Sequence, residues 1–579
     1  MSNSYGCFDA ACLSPTVGVA AETFASALQF IAATQCVLAD VPQIPEAKSG
    51  TAGCVVASRL SEITKWKILL LEAGGDPPVE SYIPGSTKSM YATEYDWTYY
   101  GIDNGRSSSG LINSSIYLPR GKMLGGSSNL GGMVYIRGNR HDFDKWNELG
   151  NEDWNADIAY EYFKKVESLQ DEQLLNYAAV NAYYGHDGPL VLSNFNNTYD
   201  IYNDELLAAW EEIGIKTVAD VKTAGFGASP RMVTASKGNR NSAVTAYLIP
   251  DVVSRPNLKI LKHALCTKIL VTPKTGRAYG VKVDHNGRSR TFFAKREVII
   301  SAGAINSAQL LLLSGIGPKK KLKALNIKPI IDSPAVGRNM EDHITVNIPI
   351  FADYPGELNE AENYFQTMRY LYNRSGILAQ GGLLNLVSLL PDFENGTYPG
   401  IELFGSLHWK NSSSLRNGLA SQYKYREEIL DSFVKPNKQH ALYIFTVMSL
   451  HAISKGSVTL RSNNPKDAPI INPNFFEKSE DLETLVRGIQ KAIQIVNTKH
   501  FKSINAFIGR INWPDCDGFE LTSVEYWRCI TLNIGVSDYH NVGTCRMGPD
   551  PKTSVMASNL IVHGTTNLRV VDASVMPYQ

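Results

Sequence analysis

The segment that decides the fold runs from residue 50 to residue 72 and reads GTAGCVVASRLSEITKWKILLLE. It opens with Gly50 and Gly53 and continues as an apolar run with helical spacing. Residues 67–72 then form an aliphatic run closed by Glu72, which is typical of a buried parallel strand. A helix followed by such a strand is half of a βαβ unit, so the segment predicts an α/β fold.

The same segment carries the spacing of a dinucleotide site. Such a site needs glycines beside a pyrophosphate, a helix N-terminus aimed at the phosphates, and an acid about 20 residues later for the ribose. Gly50, Gly53 and Glu72 meet these needs, but Lys48 occupies the first glycine position. Residues 40–47 contain two prolines and two acids, which disfavour a central strand. Taken alone, the glycine pair is explained better by a tight turn into a helix.

The rest of the chain divides into two textures. Strand-like runs at 258–260, 267–271, 279–283 and 297–301 lead into a helical run at 304–313, which continues the α/β pattern. From about residue 344 to residue 529 the sequence has aromatic and Asn-rich loops, with one amphipathic helical run at 482–496. This change predicts a second domain.

Composition excludes several classes of function. The chain has 579 residues, and its 56 Lys and Arg residues balance 56 Asp and Glu residues. A neutral chain lacks the cationic excess that dominates nucleic-acid binding, so we expect no nucleic-acid partner. The eight cysteines include no CxxC pair, so we expect no structural metal. Their disulfide pairing stays open.

The first 47 residues form a separate N-terminal segment with no Lys or Arg. Polar residues interrupt its apolar stretch at 23–41, so we expect no membrane span. Residues 24–33 have the length of the apolar region of a signal peptide, but the basic start is missing. We interpret the segment as a poor secretory signal, which predicts an extracellular protein, with a buried helix as the alternative.

Five longer stretches occur in a fixed order and strengthen the interpretation of residues 50–72 as part of a dinucleotide site. They read RGKMLGGSS at 120–128 with MVYIRG at 133–138, GAINSAQLLLLSGIG at 303–317, VGRNMEDH at 336–343, YHNVGTCRMG at 539–548 and LRVVDASVMP at 568–577. Together they resemble the motifs of the glucose-methanol-choline (GMC) oxidoreductases, and the similarity is greatest to the insect members called glucose dehydrogenase-like. The resemblance covers residues 50–577.

The resemblance implies a Rossmann-like FAD-binding domain at 48–343 plus 536–579 and a substrate-binding domain at 344–535 built on an antiparallel sheet. It implies FAD-dependent oxidation of a CH–OH group of an alcohol or sugar, with a quinone or oxygen as electron acceptor. It also places the loop at 123–134 beside the flavin, Cys266 on the adenine side and Asp572 near the ribityl and pyrophosphate. The implied cofactor residues are Gly50, Gly53, Glu72, Met123, Gly125, Gly126, Ser127, Gly131, Val134, Cys266 and Asp572.

Two of these positions depart from the family. Gly131 stands where the family usually has Asn or His, which removes a polar contact to the flavin. Cys266 stands where a Val is common, and a small apolar thiol can serve there. A plain core role for Cys266 explains it equally well.

His540 is the candidate catalytic base. Oxidation of an alcohol by hydride transfer leaves a hydroxyl proton, and a neutral imidazole with a reference pKa of about 6.5 can accept it near pH 7. In Tyr-His-Asn-Val-Gly-Thr the histidine matches the family's active-site base, whereas we expect structural roles for His343 and His563. Among the aromatic residues of the second domain, we expect core packing for most of Phe404, Trp409, Phe445 and Trp527.

Two alternatives remain at this stage. The lead-in at 40–47 and the end at Gln579 suggest that a first strand and a turn with a second catalytic residue are absent. A truncated or degenerate, non-catalytic relative with impaired FAD binding would have these features. An NAD-dependent enzyme would explain residues 50–72 but none of the later motifs.

Overall fold

The computed structural model describes residues 50–195, 200–354, 360–393 and 395–579. The N-terminal segment, Lys48 and the lead-in at 40–47 lie outside the described residues. The secretory signal and the missing first strand therefore stay predictions.

Two pairs of parallel strands lie in the region that the resemblance assigns to FAD binding, called the cofactor side below. Ile68–Leu71 pairs with Leu258–Leu261, and Val298–Ile300 pairs with Leu568–Val570. The helix Thr51–Ser61 precedes the first of these strands, and the helix Gly303–Leu313 follows Val298–Ile300. The strands and helices predicted from residues 50–72 and 258–313 are therefore confirmed, and the fold is α/β.

A three-stranded antiparallel sheet follows the strand Leu258–Leu261. Its strands are Ala264–Val271, Ala278–His285 and Arg288–Phe293. The backbone N–H of Ala264 donates to the carbonyl oxygen of Glu72 at 2.7 Å. This sheet therefore starts directly beside the end of the first parallel strand.

The second region is built on a seven-stranded antiparallel sheet, as predicted. Its strand order is Phe507–Ile508, Ile344–Ala352, Ala441–Ser449, Ile401–His408, Leu386–Leu390 and Gly227–Pro230, with Val536–Ser537 also pairing with Ile344–Ala352. The helix Ser479–Ala492 packs on this sheet so closely that a Cβ at Gly488 would lie 2.5 Å from Val447 Cγ1. Two of the strands, 227–230 and 536–537, come from sequence that the predicted boundaries assign to the FAD-binding domain. The domain boundaries themselves stay a prediction.

Shorter elements connect the two regions. The strand pairs are Tyr99–Tyr100 with Tyr117–Leu118, Glu167–Leu169 with Leu190–Leu192, Ala235–Ser236 with Asn239–Arg240, Ile316–Gly317 with Ile331–Asp332, and Ser457–Thr459 with Ile470–Asn472. The remaining α-helices are Arg140–Glu148, Ala156–Val166, Glu172–Leu175, Ala178–Tyr183, Asp200–Glu212, Val221–Ala224, Ala243–Tyr247, Pro250–Val253, Lys319–Ala324, Glu360–Asn373, Leu415–Tyr423, Glu427–Asn437, Lys499–Ser503 and Val524–Ile534.

One disulfide joins Cys516 to Cys529, with the two Cα atoms 5.6 Å apart. It links the turn Pro514–Cys516 to the helix Val524–Ile534. Among the described helices, none is both long enough and apolar enough to cross a bilayer.

Candidate active site

The start of the helix Thr51–Ser61 lies against the glycine loop at 125–128. The Thr51 hydroxyl donates to the Gly125 carbonyl oxygen at 2.6 Å and accepts from the Ser128 N–H at 3.2 Å. Within the described part of the chain no side chain caps the helix at Gly50, and the first turn of the helix contains no acid. The first N–H groups of an α-helix have no partner within the helix, so this end is suited to bind an anionic group such as a pyrophosphate.

The loop requires glycine at two positions. Gly125 and Gly126 have φ values of +79° and +51°, which lie in the left-handed region. A Cβ at Gly126 would lie 3.1 Å from the Thr51 nitrogen and 3.2 Å from Gly50 Cα. The glycines therefore allow the loop and the helix start to approach each other closely.

Glu72 closes the first parallel strand beside the same helix start. Its Oε1 accepts from the Gly74 N–H at 2.8 Å. Burial raises the pKa of Glu72 to about 7, and hydrogen bonds from the backbone of Gly74, Ala73 and Gly50 act in the opposite direction. A buried carboxylate in this position is suited to accept hydrogen bonds from ribose hydroxyls.

The structure separates the predicted cofactor residues into two groups. Accessible surface remains on Gly50, Ser127, Gly131, Val134, Cys266 and Asp572, whereas Gly53, Met123, Gly125 and Gly126 are buried. The Met123 side chain is fully buried in a cluster with Met90, Tyr95 and Leu130. The place of Met123 beside the cofactor stays a prediction, and its buried side chain packs within the protein.

Asp572 and Cys266 lie beside two different elements of the α/β region. Asp572 Oδ2 accepts from the Gly303 N–H at 2.9 Å and from the Ser307 hydroxyl at 2.5 Å, so its carboxylate fixes the start of the helix Gly303–Leu313. Cys266 is two residues beyond Ala264, which is bonded to Glu72. Burial raises the pKa of Cys266 to about 12, so its thiol is neutral.

His540 is held by a buried carboxylate from another part of the chain. Asp342 Oδ1 accepts from the His540 backbone N–H at 2.9 Å, and Asp342 Oδ2 accepts from Asn541 Nδ2 at 2.6 Å. Tyr539 has a left-handed φ of +68°, and its carbonyl oxygen accepts from the Arg120 guanidinium. These bonds fix the backbone that carries the imidazole.

The imidazole of His540 contacts the imidazole of His343. Their Nδ1 atoms are 3.0 Å apart, so one of them must carry the proton that the other accepts. Asp538 Oδ2 lies 3.6 Å from His540 Nδ1, and its negative charge favours a proton on that nitrogen. In this tautomer His540 Nε2 has a free lone pair, and it hydrogen-bonds to none of the described residues.

His540 is accessible although many protein atoms surround it. Half of its side-chain surface is accessible, yet burial lowers its pKa below the ordinary value, helped by Arg120 and opposed by Asp342. Lys88 has the same two properties: it is exposed, and burial lowers its pKa to about 8.

Comparison with known proteins identifies this arrangement. The GMC oxidoreductase family is matched by residues 47–345 and again by residues 452–579. The chain belongs to the GMC oxidoreductase family. As a GMC oxidoreductase it is an FAD-dependent enzyme that oxidises CH–OH groups, and the non-catalytic alternative is not favoured.

Named relatives agree over most of the length. The chain is 35% identical to ecdysone oxidase of Spodoptera littoralis over 576 residues, covering 97% of this chain and 93% of that protein. It is 34% identical to glucose dehydrogenase [FAD, quinone] of Drosophila pseudoobscura pseudoobscura, covering 91% and 82%. A variant of formate oxidase from Aspergillus oryzae has a similar structure, with a TM-score of 0.77, 26% identity, and coverage of 91% and 92%.

The residues of this GMC oxidoreductase fit FAD. The uncapped helix start at Gly50 suits the pyrophosphate, and Glu72 suits the ribose. Val134 is 41% exposed and a Cβ at Gly132 would meet no atom within 4 Å, so the loop offers an open apolar surface suited to a planar ring. The described residues therefore offer groups suited to the pyrophosphate, the ribose and the ring of FAD.

Sequence reasoning missed several charged groups around His540. They include Arg231, Glu402 and Asp538, which come from three distant parts of the chain. Only Asp538 was close to a motif, and its position two residues before His540 was the one available signal. Of the four aromatic residues considered, Trp409, Phe445 and Trp527 are buried as expected, and Phe404 is half-buried.

Proposed function

We propose that His540 is the base of the oxidation and that the loop at 125–134 and the helix start at Gly50 hold FAD. The observation that carries this proposal is the unpaired Nε2 of His540 on an accessible imidazole that many protein atoms surround. When bound, FAD accepts the hydride from the carbinol carbon. His540 Nε2 accepts the hydroxyl proton, while its Nδ1–H stays directed at His343 and Asp538.

The neutral state of the imidazole supports this role. Burial and the charges of His540 and His451 lower the pKa of His343 well below its ordinary value, and burial lowers that of His540. Both rings are therefore neutral near pH 7, which is the state in which one of them can accept a proton.

The proposal is tested with His540→Gln. We expect the variant to retain the yellow flavin absorbance of the wild type, while anaerobic bleaching by an oxidisable alcohol slows about 100- to 10,000-fold. His186→Gln, a change at an exposed histidine, is the matched control and should bleach at the wild-type rate. Bleaching by His540→Gln at the wild-type rate would remove His540 as the base.

The electron acceptor and the location are part of the same proposal. We propose a quinone acceptor, supported by the 34% identity to glucose dehydrogenase [FAD, quinone]. Reoxidation of the reduced enzyme by a soluble quinone should be faster than by dissolved oxygen, measured in a stopped-flow instrument. We propose an extracellular location, supported by the disulfide between Cys516 and Cys529. Expression of the full chain in insect cells should place it in the medium.

A further inference from the structure

The strand Ile401–His408 begins beside the charged groups around His540, because Glu402 interacts electrostatically with Asp538, and Asp538 lies 3.6 Å from His540. Along this strand Leu403, Gly405 and Leu407 are buried, whereas Phe404, Ser406 and His408 are only half-buried. Successive side chains in a strand point to opposite faces, so the even-numbered residues share one face. Glu402 is the first residue of that face and is 6% exposed.

Two more charged groups approach this face from neighbouring strands. Arg231 directly follows the strand Gly227–Pro230, and its guanidinium lies 4.7 Å from the centre of the Phe404 ring. Asp538 directly follows Val536–Ser537 and lies 3.6 Å from His540. Burial raises the pKa of Glu402 to about 8, with a further rise from the charge of Asp538 and a decrease from that of Arg231. The three groups are therefore close enough to influence one another.

Two of these groups lack hydrogen-bond partners within the described part of the chain. The Glu402 carboxyl group accepts no hydrogen bond from a described residue, and Arg231 Nε is buried without a hydrogen-bond partner. Asp538 pairs with His540 alone among the described residues. No ion pair joins Arg231 to either carboxylate among the described residues. A buried charge without a hydrogen bond is strongly unfavourable, so a structural role does not explain this cluster.

The chemistry of the cluster specifies its ligand. The two carboxyl groups accept hydrogen bonds and the guanidinium donates them, and a hydroxyl group can satisfy both kinds of partner. A quaternary ammonium ion would give none of the three groups a hydrogen bond. The short distance from Asp538 to His540 places such hydroxyls beside the carbinol that His540 deprotonates.

We propose that Arg231, Glu402 and Asp538 form a subsite for hydroxyl groups adjacent to the reacting carbinol, so that the substrate is a neutral polyhydroxylated compound. This inference rests on the proposed role of His540. A sugar and a polyhydroxylated steroid present the same chemistry. A site built to bond hydroxyls discriminates strongly against an analogue that lacks them.

The test compares probes that differ only in additional hydroxyls. D-xylopyranose is compared with tetrahydropyran-2-ol, and ecdysone with 2,22-dideoxyecdysone, by calorimetric binding to the flavin-loaded enzyme and by anaerobic bleaching. We expect the wild type to bind one polyhydroxylated probe at least about 10-fold more tightly than its partner. Glu402→Leu should weaken that binding about 10- to 100-fold, and should change binding of the partner probe less than about threefold.

Two further variants keep the test decisive. Glu428→Leu makes the same chemical change at an exposed site and should bind both probes as the wild type does. If Glu402→Leu is not soluble, Glu402→Gln keeps the shape of the side chain and replaces a carboxyl group, which holds a proton near pH 7, by an amide that cannot ionise. Its affinity for the polyhydroxylated probe should stay constant between pH 7 and pH 9, whereas that of the wild type should change.

The outcomes separate this inference from the proposed function. Binding of a polyhydroxylated probe that depends on Glu402 without any bleaching would support the subsite and contradict the role of His540. Bleaching by simple alcohols, with no preference for either polyhydroxylated probe, would overturn the subsite alone. Equal loss of both probes in Glu402→Leu would also overturn it.

Discussion

The sheets on the two sides of His540 are built differently. All nine residues of Ile344–Ala352 and all nine of Ala441–Ser449 are buried, whereas none of the residues in Ile68–Leu71 is, and Leu69 is 38% exposed. The substrate side therefore presents side chains from a continuous sheet. The cofactor side presents backbone groups at the ends of short strands. We expect an added side-chain carbon to weaken FAD binding on the cofactor side. We expect a changed charge to alter pH dependence on the substrate side.

Gly50 is where the cofactor side comes together. A Cβ on Gly50 would lie 3.6 Å from the Ser301 carbonyl oxygen, and the Gly50 backbone hydrogen-bonds to Glu72. Ser301 and Glu72 follow the ends of the two strands that belong to separate parallel pairs. Position 50 thus contacts both pairs of parallel strands. Among the described residues, the two pairs share no hydrogen bonds.

The largest effect should come from opening the disulfide of the substrate side. Replacing both Cys516 and Cys529 by Ala should lower the free energy of unfolding by about 3 kcal/mol, because the disulfide restricts the conformations of the unfolded chain. Urea unfolding followed by tryptophan fluorescence measures this change. Cys545→Ala, which removes a buried thiol without opening a loop, should cost less. Equal losses in the two variants would show that the disulfide does not brace this side.

The next effect should come from adding one carbon to the cofactor side. Gly126→Ala places a Cβ against Thr51 and forces a left-handed φ on alanine, so we expect a loss of about 2 kcal/mol in FAD binding, or about 30-fold. Flavin content after dialysis measures it. Gly518→Ala is the matched control, because Gly518 is exposed, lies outside the FAD loop, and a Cβ there meets no atom within 4 Å. Equal flavin loss in the two variants would contradict a close approach at Gly126.

These differences also explain how much could be predicted from the sequence. The motifs around Gly126 and His540 are local, so their residues were identified by adjacent positions. Arg231 and Glu402 come from separate strands, and only the pairing of Leu386–Leu390 with both Gly227–Pro230 and Ile401–His408 brings them together. No periodicity in either segment indicates that pairing.

A third prediction concerns the pH profile at the junction of the two sides. Burial lowers the pKa of His540 below 6.5, so the imidazole becomes protonated only at lower pH. We expect kcat/KM to stay constant from pH 8 to pH 6.5 and to fall below that range. Arg120→Gln removes a charge that contributes to the lowered pKa, so its decline should begin at higher pH. A profile that does not change in Arg120→Gln would contradict this electrostatic coupling.

The smallest effect should be a stability change from the charge at Glu402. Burial raises its pKa to about 8, so the folded chain holds a proton that the unfolded chain releases near pH 4.5. Stability should therefore decrease as pH rises from about 4.5 to about 8. Glu402→Gln should show a smaller decrease in Tm across this range, measured by scanning fluorimetry, than the wild type or Glu428→Gln. Parallel decreases in all three proteins would contradict it.

The left-handed backbone at Tyr539 makes that position suitable for engineering. Glycine adopts this conformation more readily than tyrosine, so Tyr539→Gly preserves the turn that carries His540. The change removes an aromatic ring that contacts Tyr91 and whose hydroxyl donates to the Gln422 carbonyl. Room for bulkier molecules could thus be created next to the base without redirecting its imidazole.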